Sequence, residues 1–207
     1  MLTEKEKITI ANYDKFATPW AAKHMDTDVF DDGFPKFQRC LPKGRVLEIG
    51  SGGGRDGIKI ASAGYDYTGI DQSKGLLEEA RGNFPNLKLY YQSIYGIHLP
   101  ESDFDGFWCA ATLIHLPKKR IYEALGNIRR VIKPQGVGFI ALKQGIGDMV
   151  CEQEEVDGQT FTRYFSYYQE DEFVRILNRA RFFRLESSTI SVSQKTTWLN
   201  YLVRVRK

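Results

Sequence analysis

The sequence has 207 residues, of which 42% are hydrophobic and 27% are charged, and its formal net charge is +3. This length and balance fit one globular domain with a sizeable core and exclude two ordinary domains. No stretch approaches the roughly 20 apolar residues that span a bilayer, and the mild positive charge gives no sign of a nucleic-acid partner.

The N-terminal part is predicted to be helical. Glu4 to His24 is typical of one or two helices with an apolar face, which Pro19 would break. Asp26 to Asp32 indicates an acidic loop, and Pro35 to Leu41 indicates a short helix with proline in its first turn. The first seven residues carry charges of both signs without an apolar run, so we expect no secretory leader and a cytoplasmic location.

From residue 45 onward, strand and helix patterns alternate. The predicted strands are Arg45–Ile49, Tyr65–Ile70, Leu87–Tyr91, Phe104–Ala110 and Val137–Leu142. The predicted helices are Arg55–Ala63, a segment capped by Ser73 that runs through Ala80, and Lys118–Val131, which Pro134 and Gly136 follow. Such alternation predicts a parallel sheet covered by helices on both faces.

The C-terminal part has a different pattern. A long glycine-containing loop is expected from Gln144 to Gln159, followed by a helix from Gln169 to Arg179. Two strands, Phe182–Val192 and Thr197–Val205, are expected to form a hairpin with its turn at Ser193–Lys195, adding antiparallel pairing at one edge of the sheet. Between loop and helix lie the aromatic residues Tyr164, Phe165, Tyr167 and Tyr168, which either wall a substrate pocket or form an edge strand packed on the core.

A glycine-rich turn after the first strand carries the functional argument. The run Gly50-Ser51-Gly52-Gly53-Gly54 can adopt positive φ and lets a ligand approach the backbone closely. Asp71 ends the second strand, where a carboxylate can accept hydrogen bonds from ribose hydroxyls. Ligands of such sheets bind at the carboxyl ends of the strands, so both features indicate a nucleoside-containing ligand; a plain tight turn is the alternative.

The pattern Glu48-x-Gly50-x-Gly52-x-Gly54, followed by Asp71, resembles motif I and the ribose-binding acid of class I S-adenosylmethionine-dependent methyltransferases. The segments Phe104–Pro117 and Arg129–Val137 are similar to the fourth strand and the turn before the fifth strand in the small-molecule branch. The resemblance implies a Rossmann-like three-layer α/β sandwich with a mostly parallel seven-stranded sheet and a C-terminal antiparallel hairpin. It also implies one domain over 1–207, with an N-terminal helical cap (1–43), a cofactor-binding core (44–143) and a lid loop, helix and hairpin (144–207).

The resemblance also implies roles for individual residues, with S-adenosylmethionine as the cofactor and no metal. Gly50, Ser51, Gly52 and Gly54 belong to the turn around the methionine and sugar, Glu48 orients that turn near the amino group, and Asp71 holds the ribose. Gln72, Ser93 and Ile94 are expected around the adenine, with Ser93 standing where the family often has Asp, and Ala110 and Ala111 are expected to pass the cofactor as backbone.

The chemistry expected from this family depends mainly on positioning, because a sulfonium methyl group is already electrophilic and needs an in-line nucleophile. His115, just after the fourth strand, is the candidate general base, with a loop histidine bonded to backbone as the alternative. Tyr13 is expected on a helix that closes over the cofactor, or as an ordinary core aromatic. His24 and His98 are expected on the surface or in loops, and Lys143 either faces an acidic acceptor or is solvated.

Three other functions compete with methylation of a small metabolite on oxygen or nitrogen. An NAD(P)-dependent oxidoreductase would share the glycine turn and the acid, but Arg55 occupies the third glycine position of a G-x-G-x-x-G counted from Gly50. A catalytically silent cofactor-binding module stays open. A base-amino nucleic-acid methyltransferase is disfavoured, because Cys109-Ala110-Ala111-Thr112 replaces the proline-pair motif after the fourth strand. The oligomeric state is not predicted. The separated cysteines Cys40, Cys109 and Cys151 predict reduced thiols.

Overall fold

The strands predicted from the alternating pattern pair into a single sheet. The computed structural model describes residues 1–27, 29–194 and 196–207. Its strands are β1 Arg45–Ile49, β2 Asp66–Asp71, β3 Leu89–Tyr91, β4 Phe104–Ala110, β5 Ile132–Lys143, β6 Val150–Val156, β7 Gln159–Phe165, β8 Phe182–Ser191 and β9 Thr197–Val205. Its helices are α1 Glu4–Lys15, α2 Ala17–His24, α3 Gly33–Cys40, α4 Arg55–Ser62, α5 Lys74–Asn83, α6 Ile121–Val131 and α7 Glu170–Arg179.

The main sheet has seven strands in the order β3-β2-β1-β4-β5-β9-β8. The first five are parallel, whereas β9 is antiparallel to both β5 and β8. The predicted mostly parallel sheet with a C-terminal antiparallel hairpin is therefore confirmed. This order brings the carboxyl ends of β2, β1, β4 and β5 to one edge, where ligands of open α/β sheets bind.

Both faces of the sheet are buried. Phe107 and Trp108 are neighbours on β4, so their side chains point to opposite faces. Phe107 packs against Phe182 of β8 with ring centroids 5.9 Å apart, and Trp108 packs against Phe37 of α3 at 5.6 Å. Both are almost fully buried, which is the burial expected of a parallel sheet between helical layers.

The N-terminal helical region divides at Phe16 rather than at Pro19. Phe16 leaves helical geometry at φ −106° and ψ 22°, and α2 begins at the next residue. Pro19 lies in the first turn of α2, where its missing N–H breaks no helical hydrogen bond. Pro35 likewise lies in the first turn of α3, which begins at Gly33. The predicted loop Asp26–Asp32 includes Asp28, which lies outside the described residues.

The predicted loop from Gln144 to Gln159 is wrong in its second half, which forms the hairpin of β6 and β7. The two strands pair in register from Val150↔Phe165 to Val156↔Gln159. Their turn is Asp157-Gly158, with φ angles of 51° and 70°, as two-residue hairpin turns require. The hydrophobic pattern did not reveal β6 because that strand is polar or charged on both faces, with valine only at its two ends.

The helical cap holds this hairpin over the carboxyl edge of the main sheet. The amide of Thr162 donates to Asn12 Oδ1, and the amide of Tyr164 donates to Thr9 Oγ1, both at 3.1 Å. Side chains of α1 therefore satisfy N–H groups on the free edge of β7, which an exposed edge strand would otherwise present to another chain.

Smaller differences concern the ends of elements. β5 begins at Ile132 rather than Val137, because a register shift opposite Phe104 and Gly106 accommodates the Pro134–Gly136 segment within the strand. The segment Lys118–Arg120 is a 3₁₀ turn before α6 rather than part of that helix. The predicted turn Ser193–Lys195 includes Lys195, which lies outside the described residues. Within the described part of the chain, no helix has the length and apolar character that crossing a membrane requires.

Candidate functional site

A cavity of about 500 Å³ lies at the carboxyl ends of β1, β2 and β4, below α1, α2 and the β6–β7 hairpin. Most residues predicted for the site line this cavity. They are Tyr13, Glu48, Gly50, Ser51, Gly52, Asp71, Gln72, Ile94, Ala110, Ala111 and His115. Gly54 and Ser93 are not part of the lining.

The glycine turn requires glycine at its first position. Gly50 has φ +77°, and a Cβ there would lie 2.0 Å from Thr112 Oγ1. That hydroxyl is fixed because it donates to the carbonyl of Ile49 at 2.8 Å. The amides of Gly50 and Ser51 both donate to the carbonyl of Ile70, at 2.8 and 3.1 Å. The turn is therefore tied to the ends of both β1 and β2, and Gly50, Ser51 and Gly52 line the cavity.

Asp71 connects the glycine turn to the helix that follows β2. Its Oδ2 accepts the amide of Gly52 at 2.8 Å, and its Oδ1 accepts the amide of Ser73 at 2.8 Å. Ser73 in turn caps α5 through its hydroxyl. Burial raises the pKa of Asp71, while the backbone N–H donors oppose that shift. The carboxylate is thus held rigidly, with lone pairs left for further donors in the cavity.

Glu48 is a buried acid beneath the turn. Its side chain accepts the hydroxyl hydrogen of Tyr67. Burial and the nearby Asp56 carboxylate raise the pKa of Glu48 well above its ordinary value. Asp56 is itself paired with Arg55 through two contacts, of 2.7 and 3.0 Å, and accepts Trp108 Nε1–H at 2.9 Å. The Arg55 guanidinium is therefore paired with Asp56 in a region that also contains the Glu48 carboxyl group.

His115 and Tyr13 are brought together from opposite ends of the fold. His115 Nδ1 lies 3.0 Å from the carbonyl of Tyr164, which only accepts, so Nδ1 carries the proton. Nε2 then accepts the Tyr13 hydroxyl hydrogen at 3.0 Å. Burial lowers the pKa of His115 to about 3 and raises the pKa of Tyr13. The histidine is therefore neutral, with its remaining lone pair already engaged.

Gly54 and Ser93 support the site from outside the lining. Gly54 has φ +88° at the start of α4, and a Cβ there would meet Phe84 at 3.0 Å. Ser93 Oγ accepts the amide of Tyr95 at 3.2 Å within its own turn. Gln92, next to Ser93, lines the cavity instead, with its Oε1 accepting the His98 amide at 2.8 Å.

The structure corrects the predicted surroundings of two basic residues, His24 and Lys143. His24 was expected on the surface or in a loop, but it is half-buried in the last turn of α2, lines the cavity and stacks on Trp20 at 3.7 Å. Lys143 is not simply solvated, because it lines the cavity and forms an ion pair of 3.1 Å with Glu152. His98 is exposed, as expected.

The β6–β7 hairpin contributes Arg163, to which the sequence analysis gave no role. Arg163 lines the cavity with Phe165, and Trp20 and Trp198 complete an aromatic wall. The dipeptide Asp157-Gly158, a strong hairpin signal, would have predicted β7 with alternate residues facing inward. Of the aromatic cluster, Phe165 lines the cavity and Tyr168 is buried in the core beside it.

Ala111 stands out in the backbone because it is a non-glycine residue with φ +56° in the cavity lining. Its amide donates to the carbonyl of Ala141 at 3.1 Å, which holds the end of β4 against β5. Such strain is commonly retained at functional sites. The described residues contain no group of three or more histidine, cysteine, aspartate or glutamate side chains suited to a metal ion, and their three cysteines are free thiols.

Comparison with known proteins gives a consistent picture. The family model described as "Methyltransferase domain" matches residues 46–136. Putative methyltransferase YqeM of Bacillus subtilis is 30% identical over 114 residues, covering 52% of this chain and 46% of that protein. Ubiquinone biosynthesis O-methyltransferase of Alkalilimnicola ehrlichii is 34% identical over 97 residues, covering 44% of this chain and 38% of that protein. The matches to these two relatives thus span less than half of their length.

Solved structures extend the similarity to the whole chain. The crystal structure of Burkholderia thailandensis 1,6-didemethyltoxoflavin-N1-methyltransferase, with bound 1,6-didemethyltoxoflavin and S-adenosylhomocysteine, has a TM-score of 0.77 at 17% identity. The similarity covers 100% of this chain and 92% of that one, and it shows a shared fold. None of these matches favours the oxidoreductase alternative.

Proposed function

We propose that this chain is a class I S-adenosylmethionine-dependent methyltransferase, which the methyltransferase-domain match over residues 46–136 and the methyltransferase relatives support, and that it transfers a methyl group from that cofactor to an oxygen or nitrogen atom of a small molecule. One observation carries the proposal. Asp71 and the glycine turn are hydrogen-bonded to each other in the same cavity that holds Tyr13 and His115. A nucleoside site and an enclosed reaction space are therefore continuous.

The residues of the cavity fit the cofactor. Ser51 Oγ is buried and has no hydrogen-bond partner among the described residues, so a polar ligand group beside it would satisfy it. In this proposal Asp71 holds the ribose hydroxyls, the Gly50–Gly52 backbone follows the methionine and sugar, and Glu48 lies near the amino group. When bound, the cofactor supplies a methyl group made electrophilic by its sulfonium sulfur.

The adenine end of the site is proposed to depend on Gln72, Gln92 and Ile94, which line the cavity together. Ser93 was expected near the adenine at the position where the family often has Asp, and its Oγ accepts the Tyr95 amide within its own turn. The Ile94 side chain is buried at 4% exposure and offers an apolar surface for a flat base. Ala110 and Ala111 border the same space from the end of β4.

Catalysis is proposed to depend on positioning rather than on a strong base. A general base works best with a pKa near the operating pH, whereas the pKa of His115 is lowered to about 3. Its Nε2 also accepts the Tyr13 hydroxyl at 3.0 Å. The hydrogen bond between His115 and Tyr13 is therefore suited to holding Tyr13, and with it helix α1, beside the reaction space.

The enclosure of the cavity supports a small acceptor. A volume of about 500 Å³ is in the range typical of small-molecule sites. The α1 side chains that bind the β7 edge hold the roof in place, which limits access by a macromolecule. The names of the relatives point the same way, because one acts in ubiquinone biosynthesis and another is an N1-methyltransferase of 1,6-didemethyltoxoflavin.

Calorimetric titration tests the proposal. The purified protein is expected to bind S-adenosylhomocysteine and not NAD. Asp71→Asn should weaken binding about tenfold or more, because it removes a charged acceptor, whereas Asp171→Asn, at an exposed position in the first turn of α7, should leave binding unchanged. Folded protein that binds neither the methyl donor nor its demethylated product, or that prefers NAD, would contradict the proposal.

A further inference from the structure

A buried arginine in the cavity is left with an unsatisfied donor. Arg163 lies on the inward face of β7, and its side chain is only 9% exposed. Its Nη2 donates to Glu154 Oε2 at 2.9 Å, whereas Arg163 Nε and Glu154 Oε1 are both buried and have no hydrogen-bond partner within the described part of the chain. A buried N–H without an acceptor costs free energy, so this position favours a ligand that supplies one.

Aromatic rings hold the Arg163 guanidinium in place. It lies 4.4 Å from the centroid of Phe161, 4.5 Å from that of Trp20 and 5.2 Å from that of Phe165. Cation–π contacts of this kind restrict the guanidinium and leave its Nε–H able to form a hydrogen bond. A group fixed before binding loses little conformational entropy when a ligand arrives.

A second cation lies on the same side of the cavity. Lys143 Nζ is 3.9 Å from the centroid of Phe165, the ring that Arg163 also approaches. The Lys143 side chain is 15% exposed, whereas its ion-pair partner Glu152 is 35% exposed. Glu154, the partner of Arg163, is likewise 33% exposed. Both glutamates are therefore the more solvent-accessible members of their pairs, and both cations line the cavity.

Lys143 is far from the proposed ribose site. Asp71 ends β2 and Lys143 ends β5, and the sheet order places β1 and β4 between those strands. Three strand spacings of about 4.8 Å separate their carboxyl ends by roughly 14 Å. Lys143 thus borders the part of the cavity beyond β4, and Arg163 lies on that side because both cations approach the Phe165 ring; in this proposal the acceptor lies there.

We propose that Arg163, assisted by Lys143, binds a carboxylate of the methyl acceptor, so that the acceptor is a small aromatic acid. A carboxylate oxygen can accept the buried Nε–H in a charge-assisted hydrogen bond. A flat ring suits the remaining walls, which include Trp20, Phe165 and Trp198. This assignment rests on the proposed methyl transfer, because it treats the space beyond β4 as the acceptor site.

The methionine carboxylate of the cofactor is the other possible source of the anion, and titration separates the two. Protein saturated with S-adenosylhomocysteine is titrated with benzoate, salicylate and 4-hydroxybenzoate, each beside its carboxamide. At least one acid is expected to bind about tenfold or more tightly than its amide. Arg163→Gln should abolish that preference, Arg163→Lys should retain part of it, and Arg175→Gln, at an exposed position on α7, should not change it.

The affinities for S-adenosylhomocysteine and for 5′-methylthioadenosine, which lacks the amino-acid part, decide the source. Arg163→Gln is expected to leave both affinities unchanged. A selective loss of S-adenosylhomocysteine binding would assign Arg163 to the cofactor and overturn the proposal, as would the absence of any preference for acid over amide across the panel. Failure of the proposed function would look different, since folded wild-type protein would then not bind S-adenosylhomocysteine at all.

Discussion

Replacing His115 by asparagine should make the protein less sensitive to acid. Asparagine keeps an N–H near the position of Nδ1, which donates to the Tyr164 carbonyl, but it has no group that takes up a proton in this pH range. In the native protein the pKa of His115 is lowered from 6.5 to about 3 by burial. The unfolded chain therefore binds a proton near pH 6.5 that the folded chain does not bind until about pH 3.

The sign and size of the effect follow from linkage. Because the unfolded state binds more protons, the free energy of unfolding falls as pH drops below 6.5. Between pH 6.5 and 4.5 this one group removes at most about 2.3 kcal/mol, which is 1.36 kcal/mol per pH unit reduced because the unfolded histidine is already half-protonated at pH 6.5. The ring is half-buried rather than fully enclosed, so solvent screening makes this figure an upper limit.

Urea unfolding of the native protein and of His115→Asn across this pH range measures the effect. The native protein should lose stability relative to the variant as pH falls. The contributions of the other titrating groups are the same in both proteins and cancel in the difference. His98→Asn, at an exposed position, is the matched control and should follow the native curve. A difference between native protein and His115→Asn that stays constant from pH 6.5 to 4.5 would refute a His115 that stays neutral in the folded protein.

The other predictions concern the glycine turn and the acid beneath it. Gly50→Ala should destabilise the protein by about 2–3 kcal/mol in urea unfolding, because it combines positive-φ strain with a clash at Thr112; a loss below about 0.5 kcal/mol would be inconsistent with this geometry. Gly82→Ala, in helix α5 with open space around it, should instead stabilise by about 0.5–1 kcal/mol, and a destabilisation would count against that assignment. Tyr67→Phe removes the hydroxyl that donates to Glu48, so it should raise the pKa of Glu48 further and weaken S-adenosylhomocysteine binding at neutral pH; calorimetry showing unchanged affinity would separate Glu48 from the cofactor site.

The sequence determined the core of the sheet and the turn at its edge. β1 and β4 were predicted to the residue, and β9 as well, because short apolar runs bounded by glycine or polar residues are local signals. The requirement for glycine at position 50 and the place of Asp71 at the end of β2 also follow from local order, since a strand end, a turn and a helix start are consecutive in the chain.

The tertiary structure decided how distant segments complete the cavity. Tyr13 and His115 are 102 residues apart in sequence, and their hydrogen bond depends on how α1 packs over the end of β4. Gln92 rather than Ser93 faces the cavity because the turn after β3 uses the serine hydroxyl internally. Arg163 was not predicted as a site residue because it reaches the cavity through the β6–β7 hairpin, and the polar first strand of that hairpin has no alternating hydrophobic pattern. Local patterns fix where the chain turns and which face of a strand is buried, but only packing determines which buried polar groups meet.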